Sequence, residues 1–209
     1  MTAVDTDGYW AALRGRLLPL DRDPPMAPAN LHALERYWGG VRPLRPAAVL
    51  VGLVERREGV HVILTRRHDG MTQHAGQISF PGGRIDPGDI DAVDAALRET
   101  REEIGVAASM IVPLGRVEPL ATVSGYIVQP VVARIDPDYE LHLQASEVSA
   151  AFELPLARAA QADLWQPYPV TRPGLAITMK ALDFQGHTIW GATAMIIERL
   201  LGRLEGLAL

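Results

Sequence analysis

Apolar runs separated by polar turns follow one another along most of this chain, and they predict several β-strands connected by a few helices. Residues 47–54 form a continuous apolar run typical of a buried strand, and residues 60–64 form another after the turn at 56–59. Because the turn is short, the two runs predict a hairpin. Further strands are predicted at 111–117 and 125–133, with a second hairpin turning at 183–186.

Helical patterns mark the segments between and around these strands. An amphipathic helix is predicted from Tyr9 to Leu18, and Asn30 is predicted to cap a second helix that runs through Trp38. A proline-rich break at 21–28 separates them, an alanine-rich segment spans 156–164, and a closing helix covers about 193–204. Strands mixed with helices predict an α/β fold in which helices cover both faces of a sheet, an α/β/α sandwich.

Composition narrows the class of protein. The chain has 209 residues, of which 48% are hydrophobic and 22% charged, as expected of a single globular domain with a sizeable core. A net charge of -5 gives no basic footprint for nucleic acid, so binding of an anionic substrate would depend on a metal and local arginines. The absence of cysteine excludes disulfides, thiolate catalysis and zinc-thiolate sites. No apolar run is long enough to span a membrane, and the acidic N-terminus is unlike a signal peptide, so a cytoplasmic location is expected.

Three carboxylates form the most informative cluster in the sequence. Glu99, Glu102 and Glu103 fall within about a 100° arc of a predicted helix, where their charges repel one another unless a cation lies among them. Mg²⁺ or Mn²⁺ is the type of ion that such oxygen ligands bind. The alternative is a solvated acidic face paired with Arg98 and Arg101.

The segment before this helix favours the metal site. Residues 80–83 end an apolar strand with a glycine pair, which allows the backbone to approach a ligand or another backbone closely. Pro87 and Gly88 predict a tight turn, and Asp91 with Asp94 predicts a helix N-cap with an acidic first turn. The loop and helix therefore form one acidic unit.

Residues 83–106 resemble the Nudix box, whose pattern is G-x5-E-x7-R-E-U-x-E-E-x-G-U with U an apolar residue. The second half matches through its arginine, its glutamates, its glycine and its last apolar residue: Arg98, Glu99, Glu102, Glu103, Gly105 and Val106. In the first half Asp89 replaces the usual glutamate, and eight residues instead of seven separate it from Arg98. Thr100 replaces an apolar residue.

The inserted residue and the preceding loop resemble the coenzyme A pyrophosphatase branch of the Nudix superfamily. That branch carries a signature close to L-L-T-x-R-[SA]-x3-R-x3-G-x3-F-P-G-G, and the matching positions are Thr65, Arg67, Gly76, Phe80, Pro81, Gly82 and Gly83. His68 and Thr72 depart from it, standing where the branch has a small residue and an arginine. With later segments included, the resemblance covers about residues 46–205.

The resemblance implies a fold and a reaction. The fold is the Nudix version of the α/β/α sandwich, with a mixed central sheet, a domain at 46–209 and an N-terminal helical extension at 1–45. The reaction is metal-dependent hydrolysis of coenzyme A or acyl-CoA to 3',5'-ADP and 4'-phosphopantetheine or its acyl form. The alternatives are hydrolysis of another nucleoside diphosphate derivative, such as ADP-ribose, NADH or a dinucleotide, and a non-catalytic nucleotide sensor.

We assign the metal ligands to Glu99, Glu102 and Glu103, and the family implies a further ligand from the backbone carbonyl near Gly82 or Gly83. Chemistry at phosphorus would use Mg²⁺ or Mn²⁺ to neutralise the diphosphate oxygens and activate water.

The remaining roles concern proton transfer and substrate contact. Arg98 either orients a glutamate or forms an ordinary helical pair with Glu102. The general base is a box glutamate or Glu147, which could equally be a solvated loop carboxylate. The predicted substrate contacts are Arg67, His74, Gly76, Gly82 and Gly83.

Aromatic residues could pack in the core, bind a ligand or contact a second subunit. Tyr126, Phe184 and Trp190 are predicted to pack in the core instead of stacking on adenine. In the extension, Trp10, Tyr37 and Trp38 are predicted to pack within the molecule, and contact with a second subunit of a homodimer is the alternative. The expected partner is a small-molecule substrate, and binding to nucleic acid or to a membrane is not expected.

Overall fold

A mixed sheet forms the centre of the computed structural model, which describes residues 6–21, 27–71, 74–172 and 175–207. Its strands are β1 (Arg45–Arg56), β2 (Gly59–Arg67), β3 (Ile78–Ser79), β4 (Gly82–Arg84), β5 (Ile111–Arg116), β6 (Leu120–Ala121), β7 (Tyr126–Ile135) and β8 (Val148–Pro155). The main path runs β3-β2-β1-β7-β5, while β4 pairs with β1, β6 with β7 and β8 with β2. β1 and β7 are parallel and their other neighbours antiparallel.

A second, antiparallel sheet and the helices surround this centre. The sheet contains β9 (Trp165–Arg172), β10 (Leu175–Phe184) and β11 (His187–Ile189), with order β11-β10-β9. The helices are α1 (Thr6–Arg14), α2 (Leu31–Trp38), α3 (Ala92–Ile104), α4 (Leu156–Ala159) and α5 (Gly191–Leu204), with 3-10 turns at Ala108–Met110 and Ala162–Leu164. Both predicted hairpins are confirmed, one between β1 and β2 and the other between β10 and β11. None of the helices in the described ranges is long and apolar enough to cross a membrane.

Strand β1 is buried on both faces, which explains its uninterrupted apolar sequence. Successive side chains of a strand point to opposite faces, so β1 contributes to two separate cores. On one face lie Ala47, Val51 and Leu53, in one cluster with Ile197 and Leu200 of α5. On the other lie Ala48, Leu50 and Val54, in one cluster with Ala95, Ala96 and Ile104 of α3. The layered α/β/α prediction is therefore confirmed.

Helix α1 is part of the first of these cores. Trp10 and Leu13 are buried in it, so the predicted intramolecular packing of Trp10 is confirmed. The predicted end of the helix at Leu18 is wrong, since the helix ends at Arg14. Leu18 instead exchanges both backbone hydrogen bonds with Arg116, at 2.8 and 2.9 Å, and this pairing requires extended backbone. Most of the predicted break that follows, residues 22–26, lies outside the described residues.

Helix α2 begins where predicted but is not capped as predicted. Asn30 occupies the N-cap position, yet its side chain makes no capping hydrogen bond. The Asn30 amide instead donates to the carbonyl oxygen of Ala121 at 2.6 Å and accepts from the Ala121 N–H at 3.1 Å. This two-way contact anchors the start of α2 to β6. No residue of α2 is fully buried, so intramolecular packing of Tyr37 and Trp38 stays a prediction.

Helix α3 has the predicted N-cap. The Asp91 carboxylate accepts hydrogen bonds from the N–H groups of Val93 and Asp94, and Asp94 accepts one from Ile90 in return. Gly105 ends the helix at a φ of 76°, a left-handed conformation that glycine adopts without strain. Both ends of the acidic helix are therefore fixed.

Candidate active site

The three glutamates of α3 lie on one arc of the helix, and their burial changes steadily across it. The side chain of Glu103 is 3% exposed, that of Glu99 16% and that of Glu102 51%. Glu103 and Glu102 are at the edges of this arc, about 100° apart, so one points towards the sheet and the other towards solvent. The carboxylates therefore share a side of the helix but not an environment.

Arg98 connects most of the acidic groups around this helix. One terminal nitrogen donates to Glu99 and Glu102, at 3.0 Å in each case. The Nε and the other terminal nitrogen form a two-point contact with Asp89 at 2.8 and 3.0 Å, and the carbonyl oxygen of Arg84 accepts a further bond. A planar guanidinium is suited to this set of partners, which a lysine could not satisfy. The contacts fit the predicted orienting role.

Two departures from the family pattern have clear structural outcomes. Asp89, despite the inserted residue, reaches Arg98, and hydrogen bonds from Arg98 hold the pKa of Asp89 below its usual value. Thr100 is buried, but its hydroxyl donates to the carbonyl oxygen of Ala96 at 2.6 Å. Neither substitution leaves a polar group without a partner.

The glycine pair lets the strand and the acidic helix approach closely. A Cβ atom at Gly83 would overlap the carboxylate of Glu99, and one at Gly82 would overlap the backbone of β1 at Ala48 and Val49. Gly82 also has a φ of 153°, which favours glycine, and its N–H donates to Glu103 at 3.2 Å. Only glycine fits at both positions.

Burial makes Glu103 the most perturbed of these carboxylates. Loss of solvent raises the pKa of Glu103 to about 7, although the Gly82 N–H and the guanidinium of Arg67 oppose the change. Arg67 lies 3.7 Å from the carboxylate, and its Nε is buried without a hydrogen-bond partner among the described residues. A further positive charge in this position would stabilise the ionised carboxylate.

Glu147 lies close enough to the acidic helix to affect it electrostatically. Burial raises the pKa of Glu99, Arg98 opposes the change, and the charges of Glu102 and Glu147 add to it. The Glu147 carbonyl oxygen accepts a hydrogen bond from the N–H of His68 at 2.8 Å, which ties its loop to the end of β2. The structure therefore brings Glu147 to the glutamates of α3, although more than 40 residues separate them in the sequence.

The donor set suits a hard divalent cation, because it consists of carboxylate and carbonyl oxygens. The close contact of Glu99 with Gly83 and the buried, incompletely neutralised charge of Glu103 fit the same ligand. In the described part of the chain, however, no three acidic or histidine side chains converge as a ready-made metal group. Arg98 and the Gly82 amide hold the carboxylates separately, so a bound cation would replace some of these hydrogen bonds.

A cavity of about 1090 Å³ opens beside these groups. Four charged residues line it beside the acidic helix, Glu99, Glu103, Glu147 and Arg67, and we call this group the acidic end; Glu102 is not among the described residues that line the cavity. A second group of lining residues is apolar and comes from α2, the second sheet and the residue before α5, and we call it the apolar end: Ala33, Leu34, Trp165, Val170, Ile177, Met179 and Trp190. The cavity lining therefore combines a charged group of residues with an apolar one.

The predicted substrate contacts divide into two groups. Arg67, His74, Gly82 and Gly83 line the cavity. Gly76 is not among the described lining residues; it packs against the ion pair of Arg66 with Asp69 and donates its N–H to the Arg67 carbonyl oxygen at 3.2 Å.

The two departures in the loop also differ. The His68 ring accepts a hydrogen bond from the N–H of Gly70 at 2.9 Å, and His68 is not among the described residues that line the cavity. Thr72 lies outside the described residues.

Sequence reasoning missed several residues that line the cavity. Asn30 and Leu34 belong to α2 and its N-cap, and Ile177 and Met179 to the second sheet, so no local motif marks them. Arg84 directly follows the glycine pair and was not selected, although its position beside the box was a usable signal. Tyr126, Phe184 and Trp190 were predicted to be core residues. Tyr126 and Phe184 pack partly buried against the core, whereas Trp190 is in neither core cluster; Tyr126 and Trp190 line the cavity.

Comparisons with known proteins agree with the motif. A model of the NUDIX domain matches residues 43–172. The uncharacterized Nudix hydrolase NudL of Escherichia fergusonii is 40% identical over 156 residues, covering 75% of this chain and 81% of that protein. NudL of Escherichia coli K12 has the same identity and coverage. A Nudix hydrolase of M. smegmatis, RenU, has a similar structure, with a TM-score of 0.54 and 19% identity over 81% of this chain and 91% of that chain.

Proposed function

This chain belongs to the NUDIX family, and we propose that it hydrolyses the diphosphate linkage of coenzyme A or acyl-CoA to 3',5'-ADP and 4'-phosphopantetheine or its acyl form. Family membership makes the chain a Nudix pyrophosphatase with the Nudix fold, and the choice of coenzyme A is our proposal. We also propose a domain at 46–209 with residues 1–45 as its extension.

One observation carries the proposal: the acidic end and the apolar end line a single cavity. Coenzyme A has a diphosphate at one end of a long pantetheine arm, and an acyl group adds an apolar tail. A cavity of about 1090 Å³ is large enough for a substrate of this kind. The match of the loop at Arg67 and at 76–83 to the coenzyme A branch supports the same choice.

The protein must overcome the negative charge of the substrate. A phosphoanhydride is protected by its own oxygens, which repel an incoming nucleophile. Glu99, Glu102 and Glu103 would hold Mg²⁺ or Mn²⁺, which supplies positive charge to those oxygens and lowers the pKa of water. Arg67 would donate from its guanidinium to a phosphate oxygen; its position in the cavity lining, 3.7 Å from Glu103, supports this role.

Two residues would manage geometry and proton transfer. Arg98 holds Glu99 and Glu102 through one nitrogen and so fixes the angle between their carboxylates. Glu147 is exposed in the cavity near Glu99 and Glu103, where its carboxylate can accept the proton that the attacking water loses. We expect Glu147→Gln to lower kcat by about 10²-fold or more. A wild-type rate in this variant would remove Glu147 as the base.

A product analysis tests the substrate. Purified protein is incubated with Mg²⁺ or Mn²⁺ and, separately, with coenzyme A, acetyl-CoA, ADP-ribose, NADH and a diadenosine polyphosphate, and the products are resolved by mass. We expect 3',5'-ADP and 4'-phosphopantetheine from coenzyme A. Cleavage of ADP-ribose or NADH with coenzyme A left intact would overturn the proposal, and no turnover of any diphosphate would favour a nucleotide sensor. Glu102→Gln serves as the inactive enzyme in this assay. Glu140→Gln is its matched control, because it makes the same substitution on an exposed loop.

A further inference from the structure

Two arginines and a tyrosine meet on one face of the sheet next to the reaction centre. Arg45 of β1 lies opposite Tyr126 of β7 in the parallel register, and Arg84 of β4 lies opposite Ala47. Because side chains two residues apart on a strand share a face, Arg45, Arg84 and Tyr126 all point to the same side. We call these residues the arginine–tyrosine cluster.

The cluster is held together by its own contacts. The Nε of Arg84 donates to the Tyr126 hydroxyl at 3.0 Å, and the Arg45 guanidinium lies 4.1 Å from the centre of the Tyr126 ring. Arg45 also donates to the carbonyl oxygen of Ser124 at 3.3 Å. Since Arg45 covers the ring, Tyr126 is better suited to positioning the two guanidinium groups than to stacking on a base.

The positive charges of the cluster are not neutralised by the protein. Across the described residues, neither Arg45 nor Arg84 has a carboxylate within ion-pair distance. In contrast, Arg98, Arg67 and Arg66 each lie within 4.0 Å of at least one acidic group. Both Arg45 and Arg84 are exposed, and the chain as a whole has a net charge of -5. Unlike these three neighbours of the site, Arg45 and Arg84 therefore have no acidic partner among the described residues, and an anionic ligand would provide one.

The cluster adjoins the predicted diphosphate site. Arg84 directly follows Gly83, against which Glu99 packs, and its carbonyl oxygen accepts a hydrogen bond from Arg98. Arg84, Tyr126 and the hydroxyl-bearing residues Thr122 and Ser124 line the same cavity as Glu99 and Glu103. A ligand whose diphosphate lies at the glutamates could therefore extend a second anionic group to Arg84.

The chemistry of the cluster matches a phosphomonoester. Guanidinium groups bind phosphate oxygens through paired N–H donors, and hydroxyls can add further hydrogen bonds. A phosphomonoester carries nearly two negative charges at neutral pH, which two arginines can balance.

We propose that the arginine–tyrosine cluster binds a phosphomonoester that the substrate carries in addition to its diphosphate, which in coenzyme A is the 3'-phosphate of the ribose. This inference rests on the proposed function. It assigns to Arg45 and Arg84 the discrimination of coenzyme A from diphosphates that lack the extra phosphate, such as ADP-ribose and NADH.

The first test compares coenzyme A with dephospho-CoA, which differs by that phosphate alone. We expect Arg84→Ala and Arg45→Ala to lower kcat/KM for coenzyme A about tenfold, mainly through KM, and to leave dephospho-CoA nearly unchanged. Arg57→Ala is the matched control, because it removes one exposed positive charge at the turn that ends β1, far from Arg45. Arg84→Lys should restore part of the preference. Equal losses for both substrates would overturn the proposal.

A second test does not depend on turnover. Binding of 3',5'-ADP and of 5'-AMP is measured by calorimetry without metal, and we expect the wild-type protein to bind 3',5'-ADP more tightly and Arg84→Ala to lose the difference. Equal affinity in the wild-type protein would refute the cluster as a phosphate site even if coenzyme A is hydrolysed. Conversely, a preference for 3',5'-ADP without hydrolysis of coenzyme A would refute the proposed function and leave the binding site supported.

Discussion

The two ends of the cavity are built in different ways. The acidic end comes largely from one stretch of chain, because Gly82, Gly83, Glu99 and Glu103 all belong to β4 and α3. The apolar end is assembled from α2, the second sheet and the residue before α5, which are far apart in sequence. Chemistry at phosphorus therefore depends on a local motif, whereas recognition depends on packing between distant segments.

The largest expected effect is at the acidic end. Glu99→Gln, Glu102→Gln and Glu103→Gln keep the side-chain volume but remove the charge, and we expect kcat to fall by about 10²–10³-fold in each. The measurement is the initial rate at saturating metal, with Glu140→Gln as control. Because Glu102 is half exposed and is not among the described residues that line the cavity, a wild-type rate in Glu102→Gln alone would restrict the metal site to Glu99 and Glu103.

The buried charge of Glu103 should also make the metal-free protein sensitive to pH. Burial raises the pKa of Glu103 from 4.5 to about 7. Between pH 4.5 and 7, Glu103 therefore keeps its proton in the folded chain and has lost it in the unfolded chain. The contribution of this proton to the free energy of unfolding is fully present below pH 4.5 and is lost as the pH rises through 7. The contribution is a few kcal/mol at most. Thermal unfolding in a metal chelator should show this decline, and Glu103→Gln should reduce it to the smaller part that the raised pKa of Glu99 contributes. An identical decline in the variant would assign it to other groups.

Arg98 tests whether the acidic end needs its orienting contacts. Arg98→Lys keeps the charge but cannot reach Asp89, Glu99, Glu102 and the Arg84 carbonyl oxygen together, so we expect the metal concentration for half-maximal activity to rise about 10–100-fold. Arg101→Lys, exposed on the same helix, is the control. An unchanged metal requirement would favour the simple helical pair with Glu102.

The same contrast explains what could be predicted from the sequence. Asp91 and the glutamates of α3 were readable because capping and helical periodicity act within a few residues. The role of Asn30 was not readable. Its side chain can either cap α2 or bind a distant backbone, and in the fold it binds Ala121 of β6, which is 91 positions away. The contact of Arg84 with Tyr126 spans 42 positions and exists only through the pairing of β4 and β7 with β1. The different exposures of Glu99, Glu102 and Glu103 likewise depend on which side of α3 faces the sheet. Helical periodicity alone does not show which side that is.

The smallest expected effect is at the apolar end, where Asn30 fastens α2 to β6. Asn30→Ala removes both hydrogen bonds to Ala121, so we expect a loss of about 1–3 kcal/mol in unfolding free energy. Because Ala33 and Leu34 then lose their fixed position in the cavity wall, KM should rise a few-fold while kcat and the metal requirement stay unchanged. Asn30→Asp keeps the acceptor for the Ala121 N–H, so its unfolding free energy and its KM should lie between those of the wild-type protein and Asn30→Ala. A fall in kcat as large as the rise in KM would show that the two ends of the cavity are coupled, and that α2 takes part in aligning the diphosphate as well as in recognising the rest of the substrate.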